Sequence, residues 1–321
     1  MRSAVATVCV SGAGQLGSRY LQGLAKCRMP LRIHVHDVVA EALERARQRW
    51  SEVHGAESDH EVLFHEAVET LPREFDIVIV ATTADVRPAL LGKIARHAAV
   101  RFWVLEKVLA QSLSGLDEIV AGVGSGANAW VNTPRRMMPW HQAIKAQLGL
   151  ARPMTLRMEG GAWGLACNAV HVLDLLAWWT GETLQSLITD RLIPPWYESK
   201  RRGVWEIAGV LEARFSGGSC AVLDAGKGTE PTRLEVTDSR LTWLIKEADG
   251  LASRSDGLAI PGRMEYQSEM TAPLVESLLE KGTCHLPTLE ESLALHRVFI
   301  GGMLQHWRQA VDFKAIAVPI T

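Results

Sequence analysis

One stretch of the chain constrains the rest. Val5 to Val10 is a short apolar run that leads directly into Gly12-Ala13-Gly14-Gln15-Leu16-Gly17. A helix-like segment follows, and then Leu31-Arg32-Ile33-His34-Val35-His36 closes on Asp37. Strand, glycine turn, helix and a second strand ending in an acid is the order of a dinucleotide-binding unit. Each part has a task. Gly12 permits the tight turn, Gly14 lets backbone approach a pyrophosphate, and Gly17 lets the helix pack closely on the strand. The helix N-terminus presents N–H groups and the positive end of its dipole to phosphates. We therefore expect Gly12, Gly14, Gln15 and Leu16 to line a cofactor site. Asp37, 20 residues after Gly17, is placed to accept both hydroxyls of an adenine ribose. Val38 and Val39 follow it and supply no cation for a 2′-phosphate, so the spacing favours NAD over NADP.

A chain of 321 residues has room for two domains. Its net charge of −2 leaves no electrostatic footprint for nucleic acid or an anionic membrane. Cys9, Cys27, Cys167, Cys220 and Cys284 are scattered without a paired spacing. They read as reduced thiols, which suits the cytoplasm. A strand begins almost at once, so no signal peptide is expected. No apolar run reaches the length of a membrane span. His34 and His36 flank one strand, but nothing else with ligand spacing joins them, so no metal is expected. There are 11 tryptophans against 3 tyrosines. Trp stacks on sugar rings, yet core or subunit packing is the simpler reading.

Strands and helices alternate over the first part of the chain. Val39 to Trp50 reads as a helix, 51–61 as a polar loop and Val62 to His65 as a short strand. Phe75 to Thr82 is a buried strand, continuous and β-branched. Thr82 and Thr83 end it where such sheets place ligand-facing residues, so both join the cofactor set. Asp85 to His97 is a helix with Pro88 in its first turn. Val100 to Leu105 is the next strand and Leu116 to Val123 the next helix. This alternation predicts an α/β doubly wound parallel sheet over residues 1–125. The run Gly122-Val123-Gly124-Ser125-Gly126 reads as the boundary.

Beyond it the pattern changes. Strands are expected at Ala129–Asn132, Pro153–Glu159, Leu187–Asp190, Ala208–Phe215, Ser219–Asp224, Arg233–Val236 and Leu241–Lys246. Ser216-Gly217-Gly218 makes a hairpin turn between two of them. Helices are expected at Pro139–Leu148, Asn168–Trp179, Met270–Lys281 and Leu289–Val311. Asn168 offers an N-cap and Gly181 a C-terminal stop. Residues 126–321 thus read as an α+β domain with a mainly antiparallel open sheet.

Two later motifs add chemistry. Val104-Leu105-Glu106-Lys107-Val108 ends the strand beside the nucleotide turn, so Lys107 faces the ligand crevice. Gly160-Gly161-Ala162-Trp163-Gly164-Leu165-Ala166-Cys167-Asn168-Ala169-Val170-His171-Val172-Leu173-Asp174 leads a glycine-rich stretch into a helix. With these motifs most of the chain resembles the Gfo/Idh/MocA family, named for glucose–fructose oxidoreductase and inositol dehydrogenase.

The resemblance implies an NAD-dependent oxidoreductase acting on a hydroxyl carbon of a sugar, cyclitol or sugar-acid derivative. A subgroup with a similar Trp-Gly-Leu-Ala-Cys-Asn run is associated with bacterial surface polysaccharides. The resemblance also implies a homodimer or homotetramer assembled through the second domain's sheet. Lys107 and His171 match the family's catalytic pair. Asp174 matches an acid more often structural than catalytic. Glu106 and Lys107 join the cofactor set. Lys107, Arg135, Trp163, Cys167, Asn168 and His171 form the candidate substrate set. Arg135 and Arg136 suit a carboxylate or phosphate, and equally a surface ion pair.

Two positions depart from the family pattern. Val108 stands where the family has proline. A cis bond there costs about 2.5–4 kcal/mol, against about 0.5–1 kcal/mol before proline, so the residues leave cis and trans both open. Cys167 stands where the family often has Asp, and a thiol is a poor acceptor for a substrate hydroxyl. Two other readings therefore stay open. One is an enzyme that cycles NAD internally for net elimination, hydrolysis or epimerisation. The other is a non-catalytic NAD(H) sensor.

Overall fold

The computed structural model describes residues 5–53, 59–124, 126–148 and 153–321. Part of the expected loop at 51–61, and Ser125 of the expected boundary, lie outside them. The chain divides into two compact units.

The first unit is built on six strands: β1 (Ala6–Ser11), β2 (Leu31–His36), β3 (Glu61–His65), β4 (Glu74–Val80), β5 (Ala99–Glu106) and β6 (Ala129–Asn132). Their order is β3-β2-β1-β4-β5-β6, and every pairing is parallel. A parallel sheet covered on both faces needs continuous apolar strands. Val8, Cys9, Val10, Ile77, Val78, Ile79, Val80, Val104 and Leu105 are all fully buried. Four helices connect the strands: α1 (Gln15–Leu24), α2 (Ala40–Val53), α3 (Arg87–His97) and α4 (Leu113–Val123). The strand order reverses between β1 and β4. That is the switch point at which doubly wound sheets open a ligand crevice.

The expected boundary at 125/126 is corrected. Ala129–Asn132 is the sixth strand of the first sheet, paired with β5 from Trp103↔Ala129 to Glu106↔Asn132. The first unit runs to Pro134 and regains Glu265–Leu289 later in the chain. The helix expected at Met270–Lys281 in the second domain spans Gln267–Lys281 and lies in this returning piece. Its Glu276 accepts a 2.7 Å ion pair from Arg28, just past α1. The Lys107–Val108 bond, left open by the sequence, is cis.

The second unit holds an eight-stranded sheet. Its strands are β7 (Thr155–Gly160), β8 (Leu184–Glu198), β9 (Trp205–Phe215), β10 (Cys220–Ala225), β11 (Arg233–Thr237), β12 (Thr242–Lys246), β13 (Leu251–Arg254) and β14 (Ala259–Pro261). The order is β14-β13-β12-β11-β7-β10-β9-β8, antiparallel except at β7–β10. Helices α5 (Pro139–Gln147), α6 (Leu165–Thr180) and α8 (Leu289–Ala310) complete it, with the returning helix as α7 (Gln267–Lys281). β8 is far longer than the expected 187–190, because its register breaks near Asp190 and again at Pro194–Pro195 mask its period. β13 and β14 are too short to show one.

α6 begins at Leu165, three residues before the expected start, and its N-cap is Gly164. Asn168 is therefore inside the helix, where its Nδ2 donates to the Trp163 carbonyl at 2.9 Å. Of the tryptophans, 50, 103, 130, 140, 179, 196, 243 and 307 are at most 8% exposed, which favours packing over sugar stacking for most of them. Among the described residues no helix is long and apolar enough to cross a membrane.

Candidate functional site

The first unit gathers its candidate residues on one sheet edge. β1, β4 and β5 are parallel neighbours. Gly12, Thr82 and Lys107, each just past the end of its strand, therefore stand on the same edge.

The turn after β1 has the form the motif requires. Gly12 has φ of +99°, and a Cβ there would lie 2.9 Å from both Ala81 C and Thr82 N. A Cβ on Gly17 would lie 1.7 Å from the Gly12 carbonyl oxygen, so α1 and the turn touch backbone to backbone. A Cβ on Gly14 would meet nothing within 4 Å, and Gly14 and Gln15 are exposed. That is open space above a helix N-terminus. Asp37 Oδ2 accepts from the Ala13 N–H at 2.7 Å, and Oδ1 from the Val39 N–H at 2.9 Å. The acid thus ties the end of β2 to the glycine turn. Each oxygen keeps a lone pair for a ribose hydroxyl. Thr82 Oγ1 is buried with no hydrogen-bond partner among the described residues. An open cradle at Gly14, a fixed acid and an orphaned hydroxyl fit a dinucleotide.

Lys107 sits on a buried polar network that sequence reasoning missed. Glu106, expected beside the cofactor, is turned inward and 3% exposed. Its Oε1 accepts from Tyr20 Oη at 2.5 Å and from Asn132 Nδ2 at 2.6 Å. Asn132 also donates to Gln267 Oε1 at 2.8 Å. Burial raises the Glu106 carboxyl above its usual range. Burial, and then Glu106 itself, push the Tyr20 phenol well up. These bonds tie Glu106, at the end of β5, to Tyr20 on α1 and Asn132 on β6.

Arg87 is buried beneath the same edge. It donates to the carbonyls of Thr82, Val108 and Leu109, joining the end of β4 to the loop that follows Lys107. Burial lowers its guanidinium to about 10. An Arg immediately before Pro88 was the available signal. Sequence alone gives no reason to bury it.

In the second unit, the candidate residues cluster at the start of α6. Gly161 donates to the Glu230 carbonyl at 3.0 Å and Ala162 to the Gly228 carbonyl at 2.7 Å. Trp163 Nε1 donates to the Asp224 carbonyl at 2.9 Å. These bonds carry the chain off β7 into the helix. Helical spacing puts Cys167, Asn168 and His171 on one face. Cys167 is buried, while Trp163, Asn168 and His171 are half-buried.

Arg135, for which substrate binding and an ion pair were both open, makes an ion pair within the protein. Its Nε and Nη2 each reach Glu247 at 2.7 Å, and Glu247 also meets His141 Nε2 at 3.1 Å. Arg135 holds Glu247 well below the usual carboxylate range, against the effect of burial. Its fork is engaged within the protein. Arg136, its neighbour, forks onto Asp174. Glu206 is a further missed residue. It caps α6 from β9, accepting from the Ala166 N–H at 2.8 Å and the Cys167 N–H at 3.3 Å. The signal was a lone acid inside the apolar run Val204–Val210.

No family model matches the chain. No curated protein matches it either. Solved structures share its fold at low identity. UDP-N-acetylglucosamine 3-dehydrogenase from Acidithiobacillus ferrooxidans is 16% identical, with 97% of this chain and 99% of that one covered and a TM-score of 0.69. An oxidoreductase from Agrobacterium radiobacter, in complex with NAD⁺, L-tartaric acid and magnesium, is 15% identical over 98% and 99%, with a TM-score of 0.70. Scyllo-inositol dehydrogenase from Lactobacillus casei, with bound NAD(H) and scyllo-inositol, is 13% identical over 92% and 95%, with a TM-score of 0.66. The two-unit architecture is therefore one that these proteins have in common.

Proposed function

We propose that this chain is an oxidoreductase of the Gfo/Idh/MocA type, using NAD to oxidise a hydroxyl-bearing carbon of a sugar, cyclitol or related derivative. The observation that carries the reading is the nucleotide edge of the first unit: a bare Gly14, Asp37 fixed to the turn, and Lys107 beside them. The fold shared with an oxidoreductase holding NAD⁺ and a dehydrogenase holding NAD(H) supports it.

Gly12, Gly14, Gln15, Leu16, Asp37, Thr82 and Thr83 would hold the dinucleotide. Bound NAD⁺ supplies a hydride acceptor. Lys107 donates a hydrogen bond to the substrate oxygen and stabilises its developing negative charge. His171 takes the hydroxyl proton. Trp163, Cys167 and Asn168 flank His171 and would contact the rest of the substrate. The tyrosine, asparagine and arginine around β5 keep Lys107 in place. Assembly as a homodimer or homotetramer in the cytoplasm belongs to the same reading.

The test is a panel of polyols, sugars, sugar acids and nucleotide sugars incubated with NAD⁺ and followed at the NADH absorbance. Net NADH formation with one class supports the reading. Substrate conversion without net NADH replaces it with internally cycled NAD. NADH binding with no conversion of any member moves the chain to a sensor.

A further inference from the structure

Two strands of the cofactor edge part before they reach it. The β4–β5 ladder ends at Val80↔Leu105. Beyond it the chain after β4 turns towards β1, and the Ala81 N–H donates to the Ser11 carbonyl at 2.7 Å. Strand ends released in this way leave carbonyl groups that need donors. Arg87, the first residue of α3 and 1% exposed, supplies them. Its Nη2 donates to the Thr82 carbonyl, and its Nη1 to the carbonyls of Val108 and Leu109, the last at 3.0 Å. One guanidinium thus spans the gap that the ladder leaves. Lys107 directly precedes the two residues it grips on the β5 side.

A purely structural tie would not need a charge here. Arg87 Nε is buried with no hydrogen-bond partner among the described residues. Glu106 and Asp85 act on the charge through space, and burial still brings the guanidinium down to about 10. A buried cation with no acid hydrogen-bonded to it is unfavourable. It stays charged at neutral pH, so every N–H remains a donor. A planar fork serves carbonyls on two segments at once, whereas an ammonium is a point charge on a flexible stem. We propose that Arg87 is a positioning residue for turnover: it sets the separation between Thr82, in the dinucleotide set, and Lys107, independently of how tightly the cofactor binds. The proposal rests on the oxidoreductase reading above and deepens it. In that reading affinity comes from the Gly14 turn and Asp37, past the ends of β1 and β2, whereas Arg87 acts on the segments that follow β4 and β5.

The test separates turnover from binding. In Arg87→Ala, kcat with the best substrate found should fall about 10²-fold, the size expected when a reacting group is slightly misplaced. NADH affinity should stay close to that of the wild type. Arg87→Lys keeps the charge without the fork and should still be slower by about tenfold or more. It carries the comparison if Arg87→Ala does not fold. Full kcat in the folded variants, or kcat and NADH affinity lost together, overturns the proposal.

A second readout needs no substrate. Acetic anhydride labels accessible amines, and mass spectrometry follows each lysine separately. Lys107 should be acetylated at least about threefold faster in Arg87→Lys than in the wild type, because the segment that carries it opens more often. Lys246, in the other unit, should be unaffected. An unmoved Lys107 rate overturns the proposal whatever the kinetics. Absence of turnover in the wild type with that rate shifted contradicts only the oxidoreductase reading.

Discussion

Arg136 grips Asp174 with both arms of its guanidinium, Nε to Oδ2 at 2.9 Å and Nη2 to Oδ1 at 2.7 Å, and both side chains are buried. Asp174 lies one helical turn beyond His171. α6 is thus held at two points, by Glu206 at its first N–H groups and by Arg136 past His171. The family resemblance pointed to a structural acid here. The partner is the second residue of an Arg pair whose first member serves Glu247.

Removing one side of this pair should be severe. Asp174→Ala leaves the buried guanidinium with only the longer, solvent-exposed ion pair to Glu291 at 3.6 Å, at a cost of about 3–5 kcal/mol. Replacing both, as Arg136→Met with Asp174→Leu, should recover most of that. Urea unfolding midpoints of the two variants check this. Equal loss in single and double variants would show that the pair is not the cause.

Asp37 should set cofactor choice. Asp37→Ser with Val38→Arg removes the acid and supplies a cation for a 2′-phosphate, so preference should move towards NADP. Calorimetry of both cofactors reads this. A wild type that binds NADP as tightly as NAD would remove Asp37 from the selectivity argument.

Lys107 should matter for turnover more than for binding. Lys107→Met is expected to reduce turnover by about 10²–10⁴, the range for positioned acid–base groups, with NADH affinity little changed. An unaltered rate in the folded variant would exclude it from the chemistry.

Much of this was legible in the chain. The β-branched runs gave five of the first sheet's strands, and the glycine turn gave its crevice. β6 was assigned to the wrong side because the glycines at 122–126 resemble a linker. Its pairing with β5 is a non-local fact. Glu206 was hidden for a related reason. A cap normally sits at the helix start, and here it comes from another strand. Asn168 looked like that cap only because the true first turn, Leu165-Ala166-Cys167, carries no polar signal.

Acid should loosen the first unit. Burial, helped by the nearby His65 and Arg32, holds His34 down to about 4 from its ordinary 6.5. Burial lowers His36 and His65 too. His34 Nδ1 lies 2.9 Å from His65 Nε2. These groups are neutral in the fold and take up protons more readily when unfolded. Their contribution is complete above about pH 6.5 and is lost as pH falls towards 4. Tm should therefore drop between pH 7 and pH 5, and His34→Leu should flatten the drop. A Tm independent of pH over that range would contradict the assignment.

The central proposal is that Lys107 and His171 both act on the substrate's reacting hydroxyl. A double-mutant cycle in kcat tests it most directly, with Lys107→Met, His171→Asn and the pair together. Groups that act as a unit are strongly non-additive. The double variant should be about as slow as the slower single one, with all three binding NADH alike. Losses that multiply, or a His171→Asn variant as fast as the wild type, would contradict the account.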